Sequence, residues 1–342
     1  MSLGQEVNLV TFEKVKPSED LFNKMHSSGI RWKPIPFGNT GLIGGITRVK
    51  KIMREIPDGN VIHARADLPA FCGLVGTSQP LLWDVRSLWV EQRKMMNPRE
   101  FNKAVEIVLK QMNRYVAKNC AAFTTLTDAI VPSLISRYPT LPSIHKTVPT
   151  CVDLNMFRVS KLEKDSLTQI LLLGNFNRLY DTTWMREFLL EWRKLEKTKI
   201  LWAHDAEFMV NSHPLSVFEQ ITVPHADVPR IIRKSHVGLL FLKQSNDMSL
   251  KAAMPTKIAE FWASGRPIIV SKGVGDVDPI IEKYRVGVSL DQSMHPKMAI
   301  DEIRSLISDR ETPDRCRYVA EKFFDIQLAA RNYVNLLSQI AI

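Results

Sequence analysis

The sequence predicts an α/β protein made of two doubly wound parallel-sheet units in tandem. Short apolar runs alternate with longer segments of 3.6-residue period from one end of the chain to the other, the pattern of strands covered by helices. A length of 342 residues suits two domains. Near the middle a polar stretch, 152–166, holding Asp153-Leu154-Asn155 and Lys161-Leu162-Glu163-Lys164-Asp165, breaks both periodicities and separates the units.

In the first unit, strands are expected at Val7–Phe12, Val61–His63, Leu81–Val85, Ala122–Leu126 and Lys146–Val148, where apolar and β-branched residues cluster. Helical periodicity lies between them, near 17–28, 41–56, 66–77, 98–119 and 127–137. The second unit repeats the alternation with strands at Gln169–Leu173, Lys199–Ala203, Phe218–Val223, Val237–Leu242, Pro267–Ser271 and Val286–Leu290. After these the chain reads as helix near 295–308, 313–323 and 327–341, with Pro313 at a favourable first helical position. The first domain is placed at 1–155 and the second at 156–326. Parallel sheets of this kind bind ligands outside the carboxyl ends of their strands, so two of them facing a cleft would bring both sets of ends to one ligand.

With 45% apolar and 24% charged residues, the composition is that of an ordinary globular protein. No apolar run approaches the roughly 18 residues that cross a bilayer. The start, Met1-Ser2-Leu3, leads into a strand without a basic and then apolar leader, and a cytoplasmic location is the expectation. Cys72, Cys120, Cys151 and Cys316 show no Cys-x-x-Cys pairing and read as buried free thiols. The 46 Lys and Arg exceed the 36 Asp and Glu by ten, which fits nucleic acid, an anionic membrane surface, or an anionic substrate such as a nucleotide phosphate. Nucleic acid fits poorly, because no basic segment is interleaved with stacking aromatics.

The most informative stretch runs from Met254 to Ser271. Pro255 suits the first turn of a helix, Gly265 its left-handed end, and Pro267 blocks its continuation. A short helix over 255–264 would aim free N–H groups and the positive end of its dipole at the cleft, a site for a diphosphate. Thr256 and Glu260 share one face, while Ile258, Ala259 and Trp262 can face the sheet. Glu260 then stands about 6 Å beyond the first turn, where its carboxylate could accept both hydroxyls of a ribose. The competing reading is a plain amphipathic helix with Glu260 solvated or paired to Lys257.

Pro255, Thr256, Lys257, Glu260, Gly265 and Pro267, with Gly273-Val274-Gly275-Asp276 after them, resemble the nucleotide-sugar motif of family 4 retaining glycosyltransferases, whose fold is GT-B. The resemblance extends to Val148–Asp153 with Phe157, to Leu171–Gly174 with Tyr180, and to Val61–Arg65 and Leu82–Glu91 on the acceptor side. It implies two Rossmann-like domains facing a cleft, with the helix at 327–342 packing back on the first. It implies transfer of a sugar from a nucleoside diphosphate sugar to a hydroxyl acceptor, in building a glycan or polysaccharide. Pro255, Thr256 and Lys257 would hold the donor diphosphate with Arg178 beside them, and Glu260 the ribose. No metal is expected, since a cationic pocket can take the ion's place. The sequence departs from the family's pattern in three places. Ala252 stands where a Glu often reaches the donor sugar, and Asn175 and Tyr180 stand where Arg and Lys are common. The segment Val7–Phe12 also resembles the family's second strand, and on that resemblance the sequence is expected to begin there, without the first strand and glycine-rich loop that normally precede it.

In the first domain His63, Arg65, Asp84, Arg86 and Glu91 gather at the expected ends of two strands. Each alone is as readily a structural ion pair or hydrogen bond, and His63 a satisfied core histidine. Together Arg65, Asp84 and Arg86 are expected to form the acceptor and leaving-group site. The segment 40–56 carries Leu42, Ile46, Val49, Ile52, Met53 and Ile56 at helical spacing, with Arg48, Lys50, Lys51 and Arg54 around them. It reads either as a surface helix or as a patch for an anionic membrane carrying a lipid-linked acceptor. Two other functions stay open: a catalytically impaired nucleotide- or glycan-binding protein of the same fold, and a sugar-nucleotide epimerase.

Overall fold

The structure is a computed structural model, which describes residues 5–39, 41–86, 88, 90, 91, 103–160, 167–205, 213–244 and 248–341. The chain opens with β1 (Val7–Glu13), α1 (Glu19–Ser27) and β2 (Ile30–Pro36). β2 does not stand out in the sequence, because Pro34 and Pro36 lack the N–H that a ladder needs. It is tolerated as an edge strand, pairing in parallel with β1 from Val7 opposite Ile30 to Glu13 opposite Pro36. The first domain continues through α2 (Gly41–Glu55), β3 (Ile62–Arg65), α3 (Asp67–Gly76), β4 (Leu81–Val85), α4 (Lys103–Asn119), β5 (Ala122–Thr125), α5 (Val131–Arg137) and β6 (His145–Thr147).

Strands β3 to β6 form a parallel sheet in chain order, and β1 and β2 form a separate two-stranded sheet. The smaller sheet is tied on through α2, by an ion pair of Lys33 with Glu55 and by Arg48, which donates to the carbonyls of Phe37 (3.2 Å) and Asn39 (2.7 Å). The helix expected over 127–137 begins only at Val131, with Thr127–Ile130 left as a turn that contacts the second domain. The start of the helix expected over 98–119 lies outside the described residues before Lys103, as do Ser87 and Trp89 within the acceptor-side segment and 161–166 of the interdomain stretch.

The second domain runs through β7 (Thr168–Leu173), α6 (Thr182–Leu195), β8 (Thr198–His204), β9 (Glu219–Thr222), α7 (Val228–Lys234), β10 (Val237–Leu240), α8 (Met248–Lys251), α9 (Thr256–Ala263), β11 (Ile268–Ser271), α10 (Val277–Tyr284) and β12 (Gly287–Leu290). Its strands are all parallel, in the order β12-β11-β10-β7-β8-β9. The order reverses direction at β7 and β10, so the crevice at their carboxyl ends is the place for a ligand. Apolar side chains of both faces bury the sheet, led by Trp192 and Phe188 of α6, Trp202 of β8, and Phe261 and Trp262 of α9.

The chain closes with α11 (Pro296–Ser308), α12 (Thr312–Phe323) and α13 (Ile326–Ile340). α13 lies on the first domain, where Leu336 and Ile340 are buried with Leu82 and Ala122. The two passages of chain between the domains run side by side: Val152 N–H donates to Phe324 O (2.8 Å) and Ile326 N–H to Val152 O (3.2 Å). Two arginines fasten this junction. Arg266, 1% exposed, donates to Ser160 O, Ser160 Oγ and Arg233 O, and Arg317 donates to the carbonyls of Leu154, Phe157 and Ala263. Among the described residues no helix is long and apolar enough to cross a membrane.

Candidate functional site

The helix α9 starts at Pro255, whose φ of −61° is set by its ring, and no side chain among the described residues caps it. Ile258 N–H donates to Pro255 O (3.0 Å), which leaves the N–H groups of Thr256 and Lys257, both lining the cavity described below, outside the helix's own ladder. The helix ends as its sequence requires, with Gly265 at φ +73° and Pro267 beyond it. Ile258, Ala259 and Trp262 are buried, and Trp262 Nε1 donates to Val286 O (2.9 Å), which fixes the helix on the sheet. The opposite face points into a cavity of about 500 Å³.

Met254, Pro255, Thr256, Lys257 and Glu260 line this cavity together with Gly174, Asn175 and Tyr180 after β7, His204 at the end of β8 and Asp205 after it, and Val223 and His225 after β9. All lie at the carboxyl ends of strands or the start of a helix. Lys257 Nζ sits 4.5 Å from the ring centre of Phe176 and 4.6 Å from that of Tyr180, an aromatic cradle that holds the ammonium in place. Glu260 is 8% exposed, so it is not a solvated surface carboxylate. Burial raises its carboxyl above the ordinary range, opposed by the nearby His225 and Lys257. Asn175 donates to the Asp205 carboxylate and joins the loops after β7 and β8 at the rim. Arg178 lies exposed in the turn before Tyr180 and is not among the residues lining the cavity.

His225, His204 and Asp205 are the residues that sequence reasoning did not single out. The signal was available, since β8 and β9 were both expected and their carboxyl ends are where ligands sit.

On the first domain the structure gathers His63, Asp84 and Arg86 but commits them to one another. Asp84 is 2% exposed, takes a hydrogen bond from Thr124 Oγ1 (2.8 Å), and lies 3.1 Å from Arg86 Nε and 3.4 Å from His63 Nε2. Burial would raise its carboxyl, but the hydrogen bond from His63, the Arg86 charge and Thr124 outweigh it and hold it below the ordinary range. The His63 ring packs on Tyr333 of α13 (4.7 Å), so this cluster also seats the last helix. Arg65 is exposed at the end of β3 opposite Asp84, and Glu91 pairs with Arg137 of α5. Arg65, Asp84 and Arg86 are not among the residues lining the cavity at α9.

Ala252, the departure from the family's sugar-binding Glu, is 6% exposed and packs in an apolar cluster with Trp83, Val85, Ile130 and Leu134 of the first domain. The sequence Asp276-Val277-Asp278 has the Asp-x-Asp spacing found in many metal sites. Here Asp276 accepts backbone N–H groups of Asp128 and Ala129, and Asp278 accepts from Gly273 N–H (2.8 Å) and Ser289 Oγ. Among the described residues no group of three or more His, Cys, Asp or Glu is placed to hold a metal ion. All four cysteines are free, and burial pushes the thiols of Cys72 and Cys151 up to about 11 and that of Cys120 to about 12. In α2 the Arg48 guanidinium stacks on Phe37 (4.1 Å), while Lys50, Lys51 and Arg54 are exposed; the Leu42 side chain lies outside the description.

No protein-family model matches the sequence, and no curated protein matches it either. Solved structures do. The chain superimposes on sucrose-phosphate synthase from Thermosynechococcus elongatus with a TM-score of 0.73 at 14% identity, over 98% of this chain and 89% of that one. Anabaena HepE in complex with UDP-glucose matches with a TM-score of 0.68 at 11% identity, over 96% and 91%. WaaG, a glycosyltransferase involved in lipopolysaccharide biosynthesis, matches with a TM-score of 0.64 at 13% identity, over 96% and 90%. The fold is GT-B. In GT-B terms the cavity at α9 belongs to the second Rossmann-like domain, and the Asp84 cluster to the first.

Proposed function

We propose that this chain is a glycosyltransferase that moves a sugar from a nucleoside diphosphate sugar to a hydroxyl acceptor, with retention at the anomeric carbon, in glycan or polysaccharide assembly. The observation that carries the reading is the common cavity of the α9 first turn, Lys257 and Glu260. A diphosphate at the helix start meets open N–H groups, the helix dipole and the Lys257 ammonium, all of which favour the charge that grows as the sugar leaves. Glu260, one turn further along, accepts from the ribose hydroxyls, and the space between β8 and β9 is left for the base. HepE holds UDP-glucose, which makes uridine the first base to try. The Asp84 cluster supports Arg86 and, through register, the exposed Arg65; these two would meet the acceptor and the leaving group, with Asp84 positioning them.

Titration with UDP, GDP and their glucose and mannose forms, followed by NMR of any product's anomeric proton, tests the reading. Saturable binding that Glu260→Ala weakens, with slow donor hydrolysis or transfer, is expected. No binding of any nucleotide by the folded protein would overturn it.

The buried Ala252 favours one second reading. A chain without the donor-sugar carboxylate could bind nucleotide or glycan without turnover, and binding with no hydrolysis or transfer across acceptor mixtures would select that reading.

A further inference from the structure

The segment that leads into α9 is held by the other domain. Thr127 Oγ1 donates to Lys251 O (2.5 Å), and Thr150 Oγ1 donates to Met254 O (2.7 Å). Both threonines follow strands of the first domain, β5 and β6 respectively. Next to them, Asp276 presents one carboxylate oxygen to the N–H of Asp128 (2.6 Å) and the other to the N–H of Ala129 (2.8 Å).

Asp276 occupies the N-cap position of α10, where an aspartate ordinarily accepts an N–H of its own helix; its side chain makes no such bond. Both oxygens go across the domain boundary instead. The approach is close enough to dictate its neighbour. Gly275 has φ +48°, and a Cβ there would lie 2.4 Å from Ala253 O and 2.6 Å from Thr127 Cγ2. Burial raises the Asp276 carboxyl, the two N–H groups oppose that rise, and the adjacent Asp128 carboxylate adds to it. Neither Asp276 nor Thr127 lines the cavity at α9. Val152 and Asp325 bridge where the two passages of chain run between the domains, the place where a hinge would act.

We propose that Asp276 is the latch of the closed cleft: a positioning residue whose carboxylate, gripping the Asp128 and Ala129 amides, sets the donor segment Lys251–Pro255 against the acceptor domain. The latch rests on the function proposed above only for its effect on transfer. Opening about the Val152–Asp325 bridge breaks the Asp276 and Thr127 contacts, and the donor pocket stays intact within the second domain. The latch therefore acts on turnover and leaves nucleotide affinity alone.

The test uses the full chain with Asp276→Asn, which keeps shape but has one acceptor oxygen, and Thr127→Val as a second variant from the other side. Hydrogen exchange of peptides spanning 127–131 and 250–255, small-angle scattering, UDP affinity by calorimetry and donor turnover are measured for each. Both variants are expected to lose exchange protection in those two segments and to show a larger radius of gyration. Their UDP Kd should stay within about threefold and kcat fall about tenfold, the size of one lost hydrogen bond to a charged group. Unchanged exchange and scattering in both variants would overturn the latch. A loss of UDP affinity equal to the loss of turnover would also overturn it, by making Asp276 part of the donor site. If the unaltered chain binds no nucleotide, the proposed function fails while exchange and scattering still decide the latch.

Discussion

Asp67→Asn should make the protein more stable at neutral pH. Asp67 stands in the first turn of α3 at 3% exposure, and its carboxylate accepts from Asn113 Nδ2 of α4 (3.1 Å). Asn113 Oδ1 is buried without a partner among the described residues. A carboxylate can only accept, so it cannot serve that oxygen. Burial lifts the Asp67 carboxyl from 3.8 to about 6, with Asn113 opposing the rise and the Glu91 charge adding to it. A folded-state pKa above the unfolded one means that the proton is bound more tightly in the native protein. The resulting stability is complete below about pH 4 and is lost as pH rises through about 6. A shift of about two units corresponds to about 3 kcal/mol lost by pH 7.5. The amide that replaces the carboxylate is neutral throughout; it can accept from Asn113 Nδ2 and donate to Asn113 Oδ1. Thermal melts of both proteins at pH 5.0, 6.0 and 7.5 check this. The variant should melt several degrees higher at pH 7.5, at about 2–4 °C per kcal/mol, and the gap should shrink towards pH 5. A variant less stable than the parent at pH 7.5, or a gap that does not change with pH, would refute the reasoning.

Glu260→Gln should weaken UDP binding about tenfold, since an amide offers the ribose one acceptor oxygen instead of two, and calorimetry measures it. Because burial raises the Glu260 carboxyl, the parent should lose affinity on acidification at a higher pH than an ordinary carboxylate would, and the variant should lack that component. Arg266→Met leaves the half-buried carbonyls of Ser160 and Arg233 without their donor and should cost about 1–3 kcal/mol in urea unfolding. For the α2 patch, flotation with anionic vesicles should be lost when Lys50, Lys51 and Arg54 become Ser, each cation contributing about 1 kcal/mol at best. Arg48, stacked on Phe37 and bonded to backbone carbonyls, should contribute to folding and not to lipid.

The helix α9 and its two ends were legible because they are local. Pro255, Lys257, Glu260, Gly265 and Pro267 lie within one helix and its two ends, and the rules for starting, facing and ending a helix act over that distance. The second sheet was legible for a related reason: strands buried on both faces read as continuous apolar runs, as in Ile170–Leu173 and Ile268–Val270. β2 escaped because it is an edge strand whose prolines cost nothing on the unpaired side. The gathering of His63, Asp84 and Arg86 was legible from two adjacent strand ends, but the other partners of the cluster escaped because they come from separate elements, Thr124 on β5 and, through His63, Tyr333 on α13. No periodicity within a segment encodes which side chains of distant strands will share a carboxylate.

Ala252 joins the two kinds of information. The sequence marks it as a departure from the motif, and by itself that reads as a loss. The structure buries its side chain in one apolar cluster with Trp83, Val85, Ile130 and Leu134, where the segment after the second domain's α8 joins the core of the first. An unpaired carboxylate in that cluster would have to be desolvated at a cost of several kcal/mol, so Glu is incompatible with this seam as built. The same few residues then supply the Lys251 and Met254 carbonyls that Thr127 and Thr150 hold. At this position the chain joins its two domains. Under the function proposed above, recognition of the donor would rest on the nucleotide half of the cavity, Lys257, Glu260 and the ends of β8 and β9, because position 252 offers it no carboxylate.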